Sequence, residues 1–376
     1  MYEELTSNLG WRLRHLLHRL GAWLPSAGDL PHAPRVLLYC PGGVGDGVMC
    51  LPVLKTLRAA LPRAELVLVA PPVTIELATG LAQGAIQSAG SLAHLLRQVR
   101  RAGPFDVFLG AVQSVHGATA QLLALASRAP VRLGSQYPGE AWRPPRGLWS
   151  GAVEIDPRRH DVLHNLCLLE RLGIAPSRWE PAPAVALTED ERTDAARRLA
   201  ALGIDRAEPI LGVHPGSDRR YEHKRWLPDR LLSVVEQAGR RWGAHTLLFE
   251  GPDELGLAAG LAERLERPAS VVREPSIRVV AGLIGRCWAF LSCDSGLGHL
   301  AGALAVPTVS LMGPASPEQL APWGQRSHAL WAGLPCSPCI ATGPCADVVK
   351  PCMAAIEMDQ VLDALAAVLA PGLRGA

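Results

Sequence analysis

The chain has 376 residues, 48% of them apolar and 19% charged, with a formal net charge of +2. That length exceeds one comfortable core and predicts two domains, and the composition excludes intrinsic disorder. The near-neutral charge gives no basis for nucleic-acid binding, and no apolar run is long enough to span a bilayer.

Residues 5–24 predict a basic amphipathic helix, with Leu9, Leu13, Leu16, Leu17, Leu20 and Leu24 on one face. It defines an N-terminal extension over 1–30. That extension either packs on its own domain or a second subunit, or lies as a peripheral contact on the inner face of the cytoplasmic membrane. Glu3 and Glu4, followed by Arg12, Arg14 and Arg19, leave no signal-peptide core, so a cytoplasmic chain is expected.

Arg35 to Cys40 reads as a first buried strand, followed by a Gly-rich turn that opens into a helix through Leu61. The glycines at 43, 45 and 47 do not give the G-x-G-x-x-G spacing, and no Lys-Ser/Thr pair marks a P-loop. Asp46 stands among them at the carboxyl end of a strand. There it either faces the crevice where open α/β sheets bind ligands or caps the helix. Strand-like runs recur at Glu65 to Ala70, Val107 to Ala111 and Val131 to Gly134, separated by helical pattern, which predicts a parallel, doubly wound sheet. Residues 135–158, rich in Pro, Gly and Trp, read as a long loop. His160 to Leu172 reads as a helix with Leu163, Cys167 and Leu168 inward and His160 and His164 toward one edge, either as satisfied structural groups or in contact with an acceptor.

Prolines break both periodicities between Ile174 and Thr188. The predicted organisation is an N-terminal domain over 31–178, a linker over 179–188 and a C-terminal domain over 189–376 with a Cys-rich loop at 333–353. The second α/β series runs through Ile210 to His214, a helix at 228–242, Thr246 to Glu250, a helix at 253–266, Ser270 to Val272 and a helix at 276–286. It ends in WAFLSCDSGLGHLAGALAVPTVSLMGP, residues 288–314. In that last stretch a strand stops at Asp294, Ser295 N-caps an Ala-rich helix, and a further strand follows Pro307. Unpaired N–H groups and the positive end of the dipole at such a helix start make an anion site. Two other segments sit at predicted strand ends: HPGSDRRYEHKRWLPDRL (214–231), whose Lys224 either reaches a phosphate or belongs to a solvated charge run, and FEGPDE (249–254), whose carboxylate either accepts from ribose hydroxyls or is a first-turn helix residue.

Together GVGDGVMCLPVLKTLR, HPGS…KRWLPDRL, EGPDE and DSGLGHLAGALAVPTVSLMGP resemble, in order and spacing, the ADP-heptose:lipopolysaccharide heptosyltransferase family, glycosyltransferase family 9. The resemblance implies the GT-B fold: two Rossmann-like, doubly wound domains facing across a cleft, acceptor in the first and nucleotide sugar mainly in the second. It implies Asp46 as catalytic base, Lys224 on the donor diphosphate, Glu254 on the ribose, and Asp294, Ser295, Gly296 and His299 at the diphosphate-binding turn. Ser217 falls in a loop where the family contacts phosphate. The implied partners are a nucleotide sugar of ADP-heptose type and a glycan or glycolipid acceptor of lipopolysaccharide-core type. A protein or small-molecule acceptor is the alternative within enzymes, and a non-catalytic nucleotide-sugar scaffold the alternative outside them.

The chemistry agrees with these residue types. Inverting transfer needs a base for the acceptor hydroxyl and a sink for the charge that develops on ADP. The chain has no Asp-x-Asp pair to hold Mg²⁺, so Lys224 and the helix start are expected to do this without a metal or other cofactor. Closure of the domains over the donor is expected.

Cys336, Cys339, Cys345 and Cys352 form a C-x2-C-x5-C-x6-C array in a Pro/Gly loop. The spacing fits a structural Zn or mononuclear iron site, two local disulfides, or free thiols. Some members of the resembled family carry a related cysteine finger thought to bind iron. Cys40, Cys50, Cys167, Cys287 and Cys293 are expected to be buried apolar residues.

Overall fold

The computed structural model describes residues 30–112, 118–136, 148–183, 185–339, 345 and 350–369. The helix expected over 5–24 lies outside them. Two compact units meet at Pro183 and Ala184.

In the first unit, six strands form one sheet: β1 (Arg35–Tyr39), β2 (Glu65–Ala70), β3 (Gly84–Gln87), β4 (Val107–Gly110), β5 (Val131–Gln136) and β6 (Gly151–Glu154). Their order is β3-β2-β1-β4-β5-β6, and every neighbouring pair is parallel. Strands buried on both faces need continuous apolar runs, and VLLY and ELVLVA supply them. Leu37, Val69, Phe108 and Leu123 form the centre of one of the core clusters. The strand order reverses between β1 and β4, the switch point outside which doubly wound sheets bind ligands.

The second unit repeats the plan with β7 (Ile210–His214), β8 (His245–Phe249), β9 (Ala269–Val272), β10 (Ala289–Cys293), β11 (Thr308–Leu311) and β12 (Ser327–Leu330). The order is β12-β11-β10-β7-β8-β9, again parallel throughout, so its switch point lies between β7 and β10. Val213, Leu291 and Val309 of the sheet pack against Leu365 of the helix Met358–Val368. Both units are therefore α/β and doubly wound. No helix among the described residues is long and apolar enough to cross a membrane.

Several local expectations need correction. The stretch expected as loop over 135–158 contains β6, and β3 and β12 were not foreseen. The expected helix at 253–266 is a 3-10 turn at Pro252–Glu254 followed by a helix at Leu257–Ala262. Gly256, at φ +93°, separates the two. The helix Asp161–Glu170 turns Val162, His164, Asn165, Leu166 and Leu169 inward, while Leu163 and Cys167 are half-exposed. Cys167 instead accepts a hydrogen bond from Arg159 Nη1 at 3.3 Å.

Candidate active site

At the carboxyl end of β1 the chain makes a tight glycine turn into the helix Val44–Ala60. Gly42 has φ +108°, a left-handed conformation that a side chain resists, and a Cβ there would collide with the Asp46 carboxylate. Asp46 sits in the first helical turn, and its Oδ2 accepts from Gly43 N at 2.9 Å. The carboxylate thus satisfies one of the orphan donors of the helix start while staying partly solvent-accessible. Asn165, fully buried, braces the same region. It accepts from Val112 N at 2.8 Å, just past β4, and donates to Met49 O at 3.4 Å. His160 N-caps its helix by accepting from Val162 N, and His164 is fully buried, accepting from Asp156 N at 2.9 Å. Both histidines are structural groups.

In the second unit the carboxyl ends of β7, β8 and β10 bring three segments together. Ser295 N-caps the helix Gly296–Ala303, accepting from Gly298 N at 3.4 Å. His214, the last residue of β7 and in register with Ser292 of β10, lies between two side chains. Its Nδ1 is 2.9 Å from Ser295 Oγ, and its Nε2 is 2.7 Å from Glu254 Oε1. Glu254 Oε1 also accepts from Gly251 N at 3.0 Å. Gly216 makes room for this carboxylate, because a Cβ there would lie 2.6 Å from Glu254 Cγ and Cδ. Burial on its own pushes the Glu254 carboxyl upward, but the hydrogen bonds it accepts, first from His214 and then from Gly251, leave it below its ordinary value.

Lys224 Nζ donates to Asp294 Oδ2 at 2.7 Å and lies 4.7 Å from the centre of the Tyr221 ring. Asp294 Oδ1 faces His299 Nε2 at 3.8 Å. Burial alone would raise the Asp294 pKa; Lys224 first, and then His299, bring it down to about 2. His299 Nδ1 is buried without a hydrogen-bond partner. Ser217 is buried, its hydroxyl donating to Tyr221 O at 2.9 Å and accepting from Arg225 Nε at 3.3 Å, so it braces the loop that carries Lys224. That loop is held from beneath: Trp226 Nε1 donates to Met353 O at 3.1 Å, and Lys350 Nζ to Glu222 O at 3.0 Å.

Lys224, Glu254, Asp294, Ser295, Gly296 and His299 therefore stand on adjoining segments at one sheet edge. A fixed ammonium and a helix start offer charge to a diphosphate, and a buried carboxylate offers an acceptor to a diol. Sequence reasoning left His214, Gly216 and Asn165 without a role. The legible signal for the first two was a histidine ending a strand directly before Pro-Gly; Asn165 gave none.

The four cysteines of the array are thiols: Cys336 exposed, Cys339 and Cys345 half-exposed, Cys352 buried. Burial first, and then the other three thiols, raise the Cys352 pKa, so all four lie within electrostatic reach. Four thiols suit Zn or iron as a donor set. Among the described residues, however, no group of three or more His, Cys, Asp or Glu is arranged to hold a metal.

Two parallel, doubly wound α/β units are the architecture of the GT-B class of glycosyltransferases. The chain belongs to glycosyltransferase family 9 (heptosyltransferase), which it matches over residues 93–347. It is 31% identical over 145 residues to lipopolysaccharide heptosyltransferase 1 of Pseudomonas aeruginosa, a match that spans 37% of this chain and only 40% of that relative. It is 26% identical over 312 residues to lipopolysaccharide heptosyltransferase 3 of Escherichia coli, covering 77% of this chain and 85% of the relative. Among solved structures, the E. coli ADP-heptose lps heptosyltransferase II shares the fold with a TM-score of 0.69 at 22% identity. That likeness covers 89% of this chain and 98% of the other.

Proposed function

We propose that this enzyme transfers a heptose from ADP-heptose, with inversion, to a hydroxyl of a glycan acceptor of lipopolysaccharide-core type. The observation that carries the reading is the convergence of Lys224, Asp294, Ser295 and Glu254 at the switch point of the second sheet. Membership of the heptosyltransferase family and the fold shared with the E. coli ADP-heptose lps heptosyltransferase II support the same donor.

In this reading Glu254 accepts from the ribose hydroxyls. Lys224 and the N–H groups of Gly296 and Leu297 in the first helical turn hold the diphosphate. Asp46 takes the proton of the acceptor hydroxyl as its oxygen attacks the anomeric carbon. The bond from that carbon to the phosphate oxygen breaks on the opposite face, and its electron pair leaves with ADP. The developing charge is met by Lys224 and the helix start, donors that are fixed before the reaction begins, so the transfer step calls on no metal. An acceptor of this kind is a lipid-anchored glycan, so the reaction is expected at the inner face of the cytoplasmic membrane, with residues 5–24 serving either as a peripheral contact there or as a packing surface for the chain's own domain or a second subunit. If the four cysteines bind a metal, the site would be a structural Zn or iron site rather than part of the chemistry.

The test is Asp46→Asn, chosen because an asparagine oxygen can still accept from Gly43 N. Transfer from ADP-heptose to core glycans should fall by about 10²–10⁴-fold, while ADP affinity stays within about twofold. Undiminished turnover would remove Asp46 as the base. ADP binding by the native enzyme without transfer to any core glycan, protein or small-molecule acceptor would mark a binding scaffold.

A further inference from the structure

We infer that His214 is a positioning residue that locks the ribose-binding carboxylate of Glu254 to the diphosphate-binding N-cap Ser295, so that the two ends of the nucleotide are registered by one imidazole. The inference rests on the donor reading given above and assigns a role to a residue that reading does not use.

The geometry leaves little freedom. His214 closes β7 at the switch point and is 6% exposed. An ionised carboxylate only accepts, so the hydrogen between His214 and Glu254 belongs to Nε2. In the neutral ring Nδ1 is then an acceptor, and it takes the Ser295 hydroxyl hydrogen across 2.9 Å. Ser295 Oγ in turn accepts from Gly298 N, inside the first turn of the helix. A chain of bonds therefore runs from Glu254 through His214 and Ser295 into the backbone that would receive phosphate oxygens. Each member is buried, where a bond is hard to replace with water.

The division of Glu254 follows from the same bonds. Oε1 accepts from both His214 Nε2 and Gly251 N. Among the described residues Oε2 accepts no hydrogen bond, and it is the oxygen available to a ribose diol. Without the imidazole, Oε1 loses one of two anchors and the carboxylate can turn about its last bond. Recognition of the ribose hydroxyls should then weaken before the fold does, since supporting contacts of this kind set the precision of a site.

The experiment is calorimetric titration of the full chain with ADP and with 2′,3′-dideoxy-ADP, which lacks the two hydroxyls. The native enzyme should prefer ADP by about tenfold or more. In His214→Ala that preference should shrink to about twofold or less, with ADP itself bound more weakly. Glutamine places an amide nitrogen near the position of Nε2, and asparagine places a polar atom near Nδ1. His214→Gln should therefore retain the preference and His214→Asn should lose it. An unchanged ADP to dideoxy-ADP ratio in His214→Ala overturns the assignment while leaving the donor reading intact. If His214→Ala does not fold, equal ratios in the Gln and Asn variants overturn it. A native enzyme that binds ADP no better than its dideoxy analogue sinks the donor reading and this inference together.

Discussion

Lys224 Nζ lies 2.7 Å from Asp294 Oδ2, a buried ion pair that joins the loop after β7 to the turn after β10. Its side chains are 12% and 7% exposed, so neither charge has bulk water as an alternative partner. A buried pair of this kind is weak evidence for net stability, yet breaking it is costly, because the surviving charge is left unpaired.

Lys224→Met should therefore destabilise the second unit by roughly 3–5 kcal/mol. Adding Asp294→Asn removes the orphaned charge and should recover most of that loss. ADP binding should not recover, since both variants lack the ammonium proposed to meet the diphosphate. Urea unfolding and calorimetric titration separate the two effects. If the double variant is as unstable as the single one, the pair is not what holds these segments together.

Acid should act on the same pair. The Asp294 pKa falls from an ordinary 3.8 to about 2 in the folded chain: burial opposes the shift, and Lys224 and then His299 impose it. A depressed acid pKa contributes stability that is present above the unfolded value and is lost as pH falls through the folded one. The contribution, about 2 kcal/mol, should be intact near neutrality and disappear between about pH 4 and pH 2. Urea midpoints measured down this range should drop less steeply in Asp294→Asn. Parallel curves for the two proteins would rule out Asp294 as a source of acid sensitivity.

Much of this arrangement was legible before any coordinates. Short apolar runs such as VLLY and AFLSC, of strand length and bounded by turn residues, read as buried strands, and Ser295 before a small-residue helix reads as a cap. What escaped was weaker in kind. β3 (GAIQ), β6 (GAVE) and β12 (SHAL) are four-residue edge or near-edge strands, with little burial to impose a pattern. The partners of His214 were invisible because Ser295 lies 81 residues away and Glu254 40; only strand order brings them together. The inward face of Asp161–Glu170 was misread because its buried set includes His164 and Asn165, polar residues whose burial depends on bonds to distant backbone.

The cysteine array gives a prediction of composition rather than rate. If the four thiols form a structural site, protein purified under reducing conditions should carry about one Zn or Fe per chain. Chelation should then lower the thermal midpoint, because metal bound only by the folded state stabilises it. The segment also underlies the loop that carries Lys224, through Lys350 and Met353, so on the proposed function chelation should weaken ADP binding as well. A metal-free preparation whose melting temperature does not respond to added Zn or Fe would dismiss the site.

The turn before Asp46 supplies a paired test within two residues. Gly42 is held at φ +108°, and a Cβ there would strike the Asp46 carboxylate. Gly43 has φ −87° and open space where its Cβ would stand. Gly43→Ala should cost only the difference between a fair and a poor cap, about 1 kcal/mol, with turnover little changed. Gly42→Ala should add left-handed strain of roughly 1–2 kcal/mol and must push the carboxylate out of its bond to Gly43 N. Its turnover should fall by about 10²-fold, as misplacing a catalytic group by an ångström does, with ADP affinity unchanged. Steady-state kinetics beside urea unfolding read both quantities. Equal turnover in the two alanine variants would mean that the orientation fixed by this turn is not the one transfer uses.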